Sequence, residues 1–257
     1  MSITDLKTIG ILGGMSSVAT GEYYNLINNE VRKIKGGLNI AEMVIVSVNF
    51  ANIERFVRTK NWEDAGEYLI EKAKRIEAAG ADCLFLATNT LHKVRDKIKE
   101  AISIPFIDIF ETVSKEIIKD GKSKIGMLGT YAVMSDNFFA NAYQEFGVEI
   151  INPEEDEKKE INRIIFEELT KNIFLPTSKD YLVQVIKNLA GKGAEGVILG
   201  CTEIKLLISQ TDIAEITLFD STTLHCDLAA KICTREIKLS DHVKAAAKIQ
   251  KVNDYLN

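Results

Sequence analysis

Two stretches of this chain carry the same short text but end in different reactive side chains. Residues 80–90 read GADCLFLATNT and residues 193–203 read GAEGVILGCTE. Each is a Gly-Ala-acid turn, an apolar run and a small polar cluster. The clusters put Thr88 and Cys201 at like positions, 201 − 88 = 113 residues apart. A second echo, IGILGG at 9–14 and IGMLGT at 125–130, recurs after 125 − 9 = 116 residues. The near agreement points to an internal duplication, with two similar halves facing each other and Thr88 and Cys201 meeting across one cleft. The chemistry open to such a pair is proton transfer. A free thiol has a pKa of ~8.5 and can be tuned lower, whereas a Thr hydroxyl is a far weaker acid.

Four polar clusters follow predicted strands, where open α/β sheets bind ligands. They are Gly13-Gly14-Met15-Ser16-Ser17, Thr88-Asn89-Thr90 with His92 beyond it, Gly129-Thr130-Tyr131, and Gly200-Cys201-Thr202-Glu203. Glycines permit close backbone approach, and helix N–H groups hold anions. The first cluster is neither a GxGxxG fingerprint nor a Walker loop. Any one hydroxyl here reads as a helix cap; the four clusters together read as a site for one small carboxylate ligand.

Among the cysteines, Cys83 lies in an apolar strand and Cys226 and Cys233 on a helical stretch, so all three read as core. Cys201 differs. It stands at a strand end and an expected helix N-terminus, where a thiolate is stabilised. His225 and His92 each read either as groups that tune the site or as hydrogen-bonded helix-start residues, and His242 as solvated. The run Glu154–Glu160 reads as an exposed first helix turn, and Glu167, Glu168 and Lys171 as salt-bridging partners on one helix.

The elements that must hold these clusters alternate. Apolar runs at Thr8–Leu12, Met43–Asn49, Asp82–Ala87, Phe106–Ile109, Lys124–Leu128, Gly196–Leu199 and Thr217–Phe219 predict strands covered on both faces. Helical spacing predicts helices at Glu22–Lys33, Asp64–Ala79, Ser135–Phe146, Asp156–Lys171 and Lys179–Ala190, with Pro176 and Ser178 separating the last two. The fold class is α/β, with two pseudo-symmetric, doubly wound parallel-sheet domains and the active site in the cleft between them. The first half spans 8–120 and carries Thr88, with the helix near 221–235 packing back on it. The second spans 121–220 and carries Cys201. A helical tail covers 236–257, with an amphipathic pattern over Asp241–Asn257.

Composition narrows the function. The net charge of −5 argues against a nucleic-acid surface. No apolar run approaches the ~20 residues that span a bilayer. The segment Met1–Lys7 lacks a signal-peptide pattern, and four sparse cysteines fit reduced thiols, so a cytoplasmic protein is expected. Cysteine and histidine spacings match no zinc pattern, and no metal is expected.

Taken together, GGMS, TNTLHKV at 88–94, LGT at 128–130 and LGCTEI at 199–204 resemble the aspartate/glutamate racemase family over about residues 8–235. The resemblance implies a racemase that uses no pyridoxal phosphate or other cofactor and takes one catalytic residue from each half. In the usual pattern both are cysteines; here they are Thr88 and Cys201, as in a Thr/Cys subgroup acting on L-aspartate or L-glutamate. Met15, Ser16, Asn89, Thr90, Thr130, Thr202 and Glu203 are then the substrate-binding candidates. Arg55, Arg58 and Lys171 are candidates for the distal carboxylate. The implied partner is a small anionic amino acid, and the implied assembly a homodimer. Two alternatives stay open: a single-cysteine decarboxylase of the same superfamily, and a non-catalytic amino-acid binding protein.

Overall fold

The computed structural model describes residues 6–240. The helix expected over Asp241–Asn257 and the residue His242 lie outside them. Strands and helices alternate as β1 (Ile9–Gly13), α1 (Ser17–Lys35), β2 (Met43–Ser47), α2 (Phe50–Thr59), α3 (Trp62–Ala78), β3 (Cys83–Leu86), α4 (Arg95–Ala101), β4 (Phe106–Ile107) and α5 (Ile109–Lys119). The second series runs β5 (Lys124–Leu128), α6 (Tyr131–Ser135), α7 (Asn137–Gln144), β6 (Glu149–Ile151), α8 (Glu155–Arg163), α9 (Pro176–Gly191), β7 (Gly196–Leu199), β8 (Thr217–Asp220) and α10 (Ser221–Cys233).

The strands form two four-stranded parallel sheets, ordered β2-β1-β3-β4 and β6-β5-β7-β8. The same order therefore occurs twice, as a duplication requires. In each sheet the chain leaves the first strand toward one edge and returns to the third on the other side. The switch point lies between β1 and β3 in one sheet and between β5 and β7 in the other. Ligands of doubly wound sheets bind outside the strand ends at such points. All four polar clusters follow β1, β3, β5 or β7.

The strands hold because their runs are apolar on both faces. β3 (CLFL) and β7 (GVIL) are buried throughout. Helices pack on them through matched small residues. A Cβ on Gly10 of β1 would lie 2.4 Å from Ile76 of α3, and one on its echo Gly126 of β5 would lie 2.9 Å from Leu189 of α9. Both glycines are where a helix comes down closely on a strand.

The chain divides into two compact units. The first comprises residues 6–85, 94–107 and 226–240, the second 86–93 and 108–225. In the first, Lys7 donates its backbone N–H to the Cys233 carbonyl at 2.9 Å, so α10 closes on the start of β1. Asp82 accepts the Lys7 ammonium at 2.5 Å and the Thr8 N–H at 2.8 Å. In the second, Ile125, Met127, Leu128, Leu182, Ile186, Leu189, Val197 and Phe219 belong to one buried cluster. The division departs from a boundary at residue 120. Thr88 follows a strand of the first sheet, yet residues 86–93 group with the second unit, because Asn89 and His92 bond to Ser221 and Ile109 there. α5 belongs to that unit as well.

Three local departures have physical causes. The helix expected over Ser135–Phe146 is α7, which begins only at Asn137 because Asp136 ends the preceding α6 and its carboxylate caps α7 by accepting the Phe138 N–H. Pro176 opens α9 in its first turn, where its missing N–H costs nothing. The helix expected to reach Lys171 stops being α at Arg163 and widens into a π-turn over Ile164–Glu168. Glu168 is buried there, accepting from Arg163 at 2.8 Å and Ser178 at 2.6 Å. Strand β6 was not expected; it is three residues long and begins on exposed Glu149.

Candidate active site

The first cluster is a helix start built on one glycine. Gly14 has φ +90°, and a Cβ there would lie 2.3 Å from both the backbone N and O of Val48. Its N–H donates to Thr20 Oγ1 at 2.7 Å, and that hydroxyl donates to the Ser16 carbonyl at 2.9 Å. Ser16 caps α1, its Oγ accepting the Ala19 N–H at 3.3 Å. Met15 beside it is buried. Ser16 is thus a cap, and it keeps a hydroxyl proton to donate. These residues belong to the first unit, as do Arg55 and Arg58; Thr88, Asn89, Thr90, Thr130, Lys171, Cys201, Thr202 and Glu203 belong to the second.

Thr88 and Cys201 each stand two residues beyond the end of their strand, β3 and β7 respectively. Each is followed by a short 3-10 turn, Thr90–Val94 in one case and Ile204–Leu206 in the other. Both are partly exposed. One hydrogen-bonded bridge joins the two loops. Asn89 Nδ2 donates to Ser221 Oγ at 3.2 Å, and Ser221 Oγ donates to the Leu199 carbonyl at 2.8 Å. Leu199 is the last residue of β7, and Ser221 is fully buried. Asn89 therefore anchors the Thr88 loop to the strand that presents Cys201. Sequence reasoning missed Ser221, because nothing in the run Ser221-Thr222-Thr223 singles it out from the other hydroxyls at that helix start.

The cysteine's surroundings differ from expectation. No α-helix begins at Cys201, so no helix dipole stabilises a thiolate there. Desolvation pushes the Cys201 thiol well above its ordinary value; the charge and side-chain hydrogen bond of Glu203 push the same way, and only the Glu203 backbone hydrogen bond opposes them. The thiol donates to Glu203 Oε2 at 3.0 Å, and the Thr202 hydroxyl donates to the same oxygen at 2.5 Å. Glu203 is 6% exposed. Its carboxylate, a substrate-binding candidate by sequence, is engaged by its own loop. A buried carboxylate two residues from a thiol is an electronegative neighbour, opposite in sign to the electropositive setting expected.

Thr130 caps α6, its Oγ accepting the Val133 N–H at 3.4 Å, and like Ser16 it retains a proton to donate. The next residue is tied down by α8: the Tyr131 N–H reaches Asn162 Oδ1 at 2.8 Å, and its hydroxyl reaches Glu155 at 2.7 Å. Thr90 is partly exposed. The distal-carboxylate candidates Arg55, Arg58 and Lys171 are all exposed. Arg58 pairs with Glu54, and Arg55 lies over the Phe56 ring. Lys205, just past the Cys201 turn, lies 3.5 Å from Asp220. Among the described residues no group of His, Cys, Asp and Glu side chains is arranged to hold a metal ion, and no helix is long and apolar enough to cross a membrane.

The chain is 23% identical over 215 residues to the broad specificity amino-acid racemase RacX of Bacillus subtilis, covering 83% of this chain and 92% of that one. A proposed Asp/Glu racemase from Yersinia pestis superposes with a TM-score of 0.84 at 37% identity, over 89% of this chain and 99% of that one. An aspartate racemase homologue from Pyrococcus horikoshii gives 0.79 at 36% identity, over 89% and 100%. Residues 12–229 match the Asp/Glu/hydantoin racemase family as a whole. The chain, with its doubled parallel sheet and paired strand-end loops, belongs to the Asp/Glu/hydantoin racemases, a family of isomerases.

Proposed function

We propose that this racemase inverts an acidic amino acid, aspartate or glutamate, by moving the α-proton between Cys201 and Thr88. The observation that carries the reading is their equivalence of place: each is the second residue beyond its strand, and the Asn89–Ser221–Leu199 bridge joins their loops. Removing an α-proton beside a carboxylate leaves a very basic carbanion, which needs a base on one face and an acid on the other. Cys201 is the base toward the L-substrate. Its proton goes first to Glu203, the acceptor it already faces, and the thiolate then takes the α-proton. Thr88 delivers a proton to the opposite face. A Thr alkoxide is a costly base, so the two directions are unequal. Asn89, Thr90 and Thr130 would supply N–H and O–H donors to the α-carboxylate, and Thr202 its backbone N–H, stabilising the charge that spreads onto it.

The test is chiral chromatography of L- and D-acidic amino acids after incubation, alongside α-proton exchange in heavy water. Inversion of at least one acidic amino acid is expected, and Cys201→Ala should abolish exchange. A panel with no inversion, or exchange that survives in Cys201→Ala, would sink the assignment. One observation favours a second reading: a thiol held protonated suits a proton donor after decarboxylation. Carbon dioxide released from disubstituted malonates, without racemisation, would mark that activity instead.

A further inference from the structure

His92 is fully buried, and both ring nitrogens have defined partners. Nδ1 lies 2.6 Å from the Thr88 carbonyl oxygen. A carbonyl carries no proton, so Nδ1 must hold the hydrogen and donate it. Nε2 lies 3.3 Å from the backbone N–H of Ile109, which donates to it, so Nε2 carries only a lone pair. The two contacts together fix a neutral ring with its proton on Nδ1. Ile109 is the first residue of α5, and its N–H is one of the donors that a helix start leaves without an internal partner. Neighbouring rings set the plane: Phe110 lies edge-on at 5.5 Å and His225 at 6.0 Å.

We propose that His92 is a positioning residue, a neutral Nδ1–H strut that holds the Thr88 backbone against the start of α5 and so aims the Thr88 hydroxyl. The proposal rests on the reading of Thr88 as the second proton carrier. The N–H of Thr88 is also fixed, on the Leu86 carbonyl at 2.8 Å. With both flanking peptide groups held, the side-chain torsion is the freedom left to this residue. His92 is no proton carrier itself, since both nitrogens are occupied away from solvent. Its effect passes through position, and a displacement of about 1 Å costs a reaction about 10²-fold.

Two measurements on the intact 257-residue chain test this. The chain has three histidines, so a long-range proton–nitrogen correlation spectrum of histidine-labelled protein is simple, and His92→Gln assigns the signal. A protonated Nδ1 with an unprotonated Nε2 is expected at neutral pH; the opposite tautomer or an imidazolium would overturn the strut. The second measurement follows L-substrate in heavy water and compares exchange with retention, served by Cys201, against inversion, which needs Thr88. His92→Ala should raise the ratio of retention to inversion by about 10²-fold. His92→Gln keeps a donor and an acceptor, and should recover much of the inversion. Equal loss of both processes would overturn the positioning role. Should His92→Ala fail to fold, the glutamine variant and the tautomer decide. Wild-type protein showing no exchange at all would reject the racemase reading and leave the tautomer result standing on its own.

Discussion

Glu203→Gln should make Cys201 a better acid and the enzyme a worse catalyst. One carboxylate oxygen accepts from both the Cys201 thiol and the Thr202 hydroxyl. The substitution keeps the shape and an acceptor but removes the charge. Two charge-assisted hydrogen bonds become neutral ones, a loss of about 1 kcal/mol each, so about 2 kcal/mol for the loop. The charge and hydrogen bond that helped to hold the thiol protonated are weakened, while desolvation remains. Alkylation of Cys201 by iodoacetamide, followed against pH, should therefore shift to lower pH without reaching the profile of a free cysteine. Turnover should move the other way. If Glu203 is the first acceptor of the thiol proton, its loss removes a general base, and kcat should fall by about 10²-fold or more. The paired outcome is diagnostic, because a neighbour that merely repels the thiolate would raise turnover when neutralised. A kcat equal to or above wild type would refute the relay, as would an alkylation profile displaced to higher pH.

Further expectations concern the frame. Ser221→Ala strands the Asn89 amide and the Leu199 carbonyl, each at about 1–3 kcal/mol, so denaturant unfolding should show a loss of about 2–6 kcal/mol; a loss under ~1 kcal/mol would mean the bridge contributes nothing. Gly14→Ala places a side chain at φ +90° against the Val48 backbone, and should cost at least about 2 kcal/mol, read as a lowered Tm. Burial pushes the Cys83 thiol up to about 12. Folding favours its protonated form, so this contribution is fully present below about 9 and is lost as pH rises toward 12. The urea midpoint should fall across that window more steeply in wild type than in Cys83→Ala; identical slopes would contradict the assignment.

Much of this was legible in the sequence because parallel strands covered on both faces announce themselves. The runs at β1, β3, β5 and β7 are apolar, short and followed by polar punctuation, and each loop of interest follows one of them. Strand β6 hid because a three-residue edge element with an exposed glutamate has no periodicity to read. The π-turn at Ile164–Glu168 hid because helical periodicity does not show that Glu168 is buried between Arg163 and Ser178. In the Cys201 loop, the strand-end position was legible and the electrostatics were not. The text CTE is compatible with a thiol at a helix start and with a thiol facing a carboxylate. Which one occurs depends on whether the backbone after Thr202 winds as α or 3-10. His92 was ambiguous in the same way, since only coordinates show that its two nitrogens meet a carbonyl and an amide.

The repeated strand order makes this molecule its own control. The sheets run in the same sequence, and Gly10 and Gly126 each lie close under a side chain of α3 or α9. Neither strand order nor these helix–strand approaches distinguish the copies, so neither accounts for a hydroxyl at one loop and a thiol at the other. The difference lies in the loops: Asn89 and His92 anchor one, and Glu203 faces the thiol in the other. A laboratory exchange of Thr88 and Cys201 alone therefore separates the reactive group from its loop, within a single polypeptide whose other half supplies the reference.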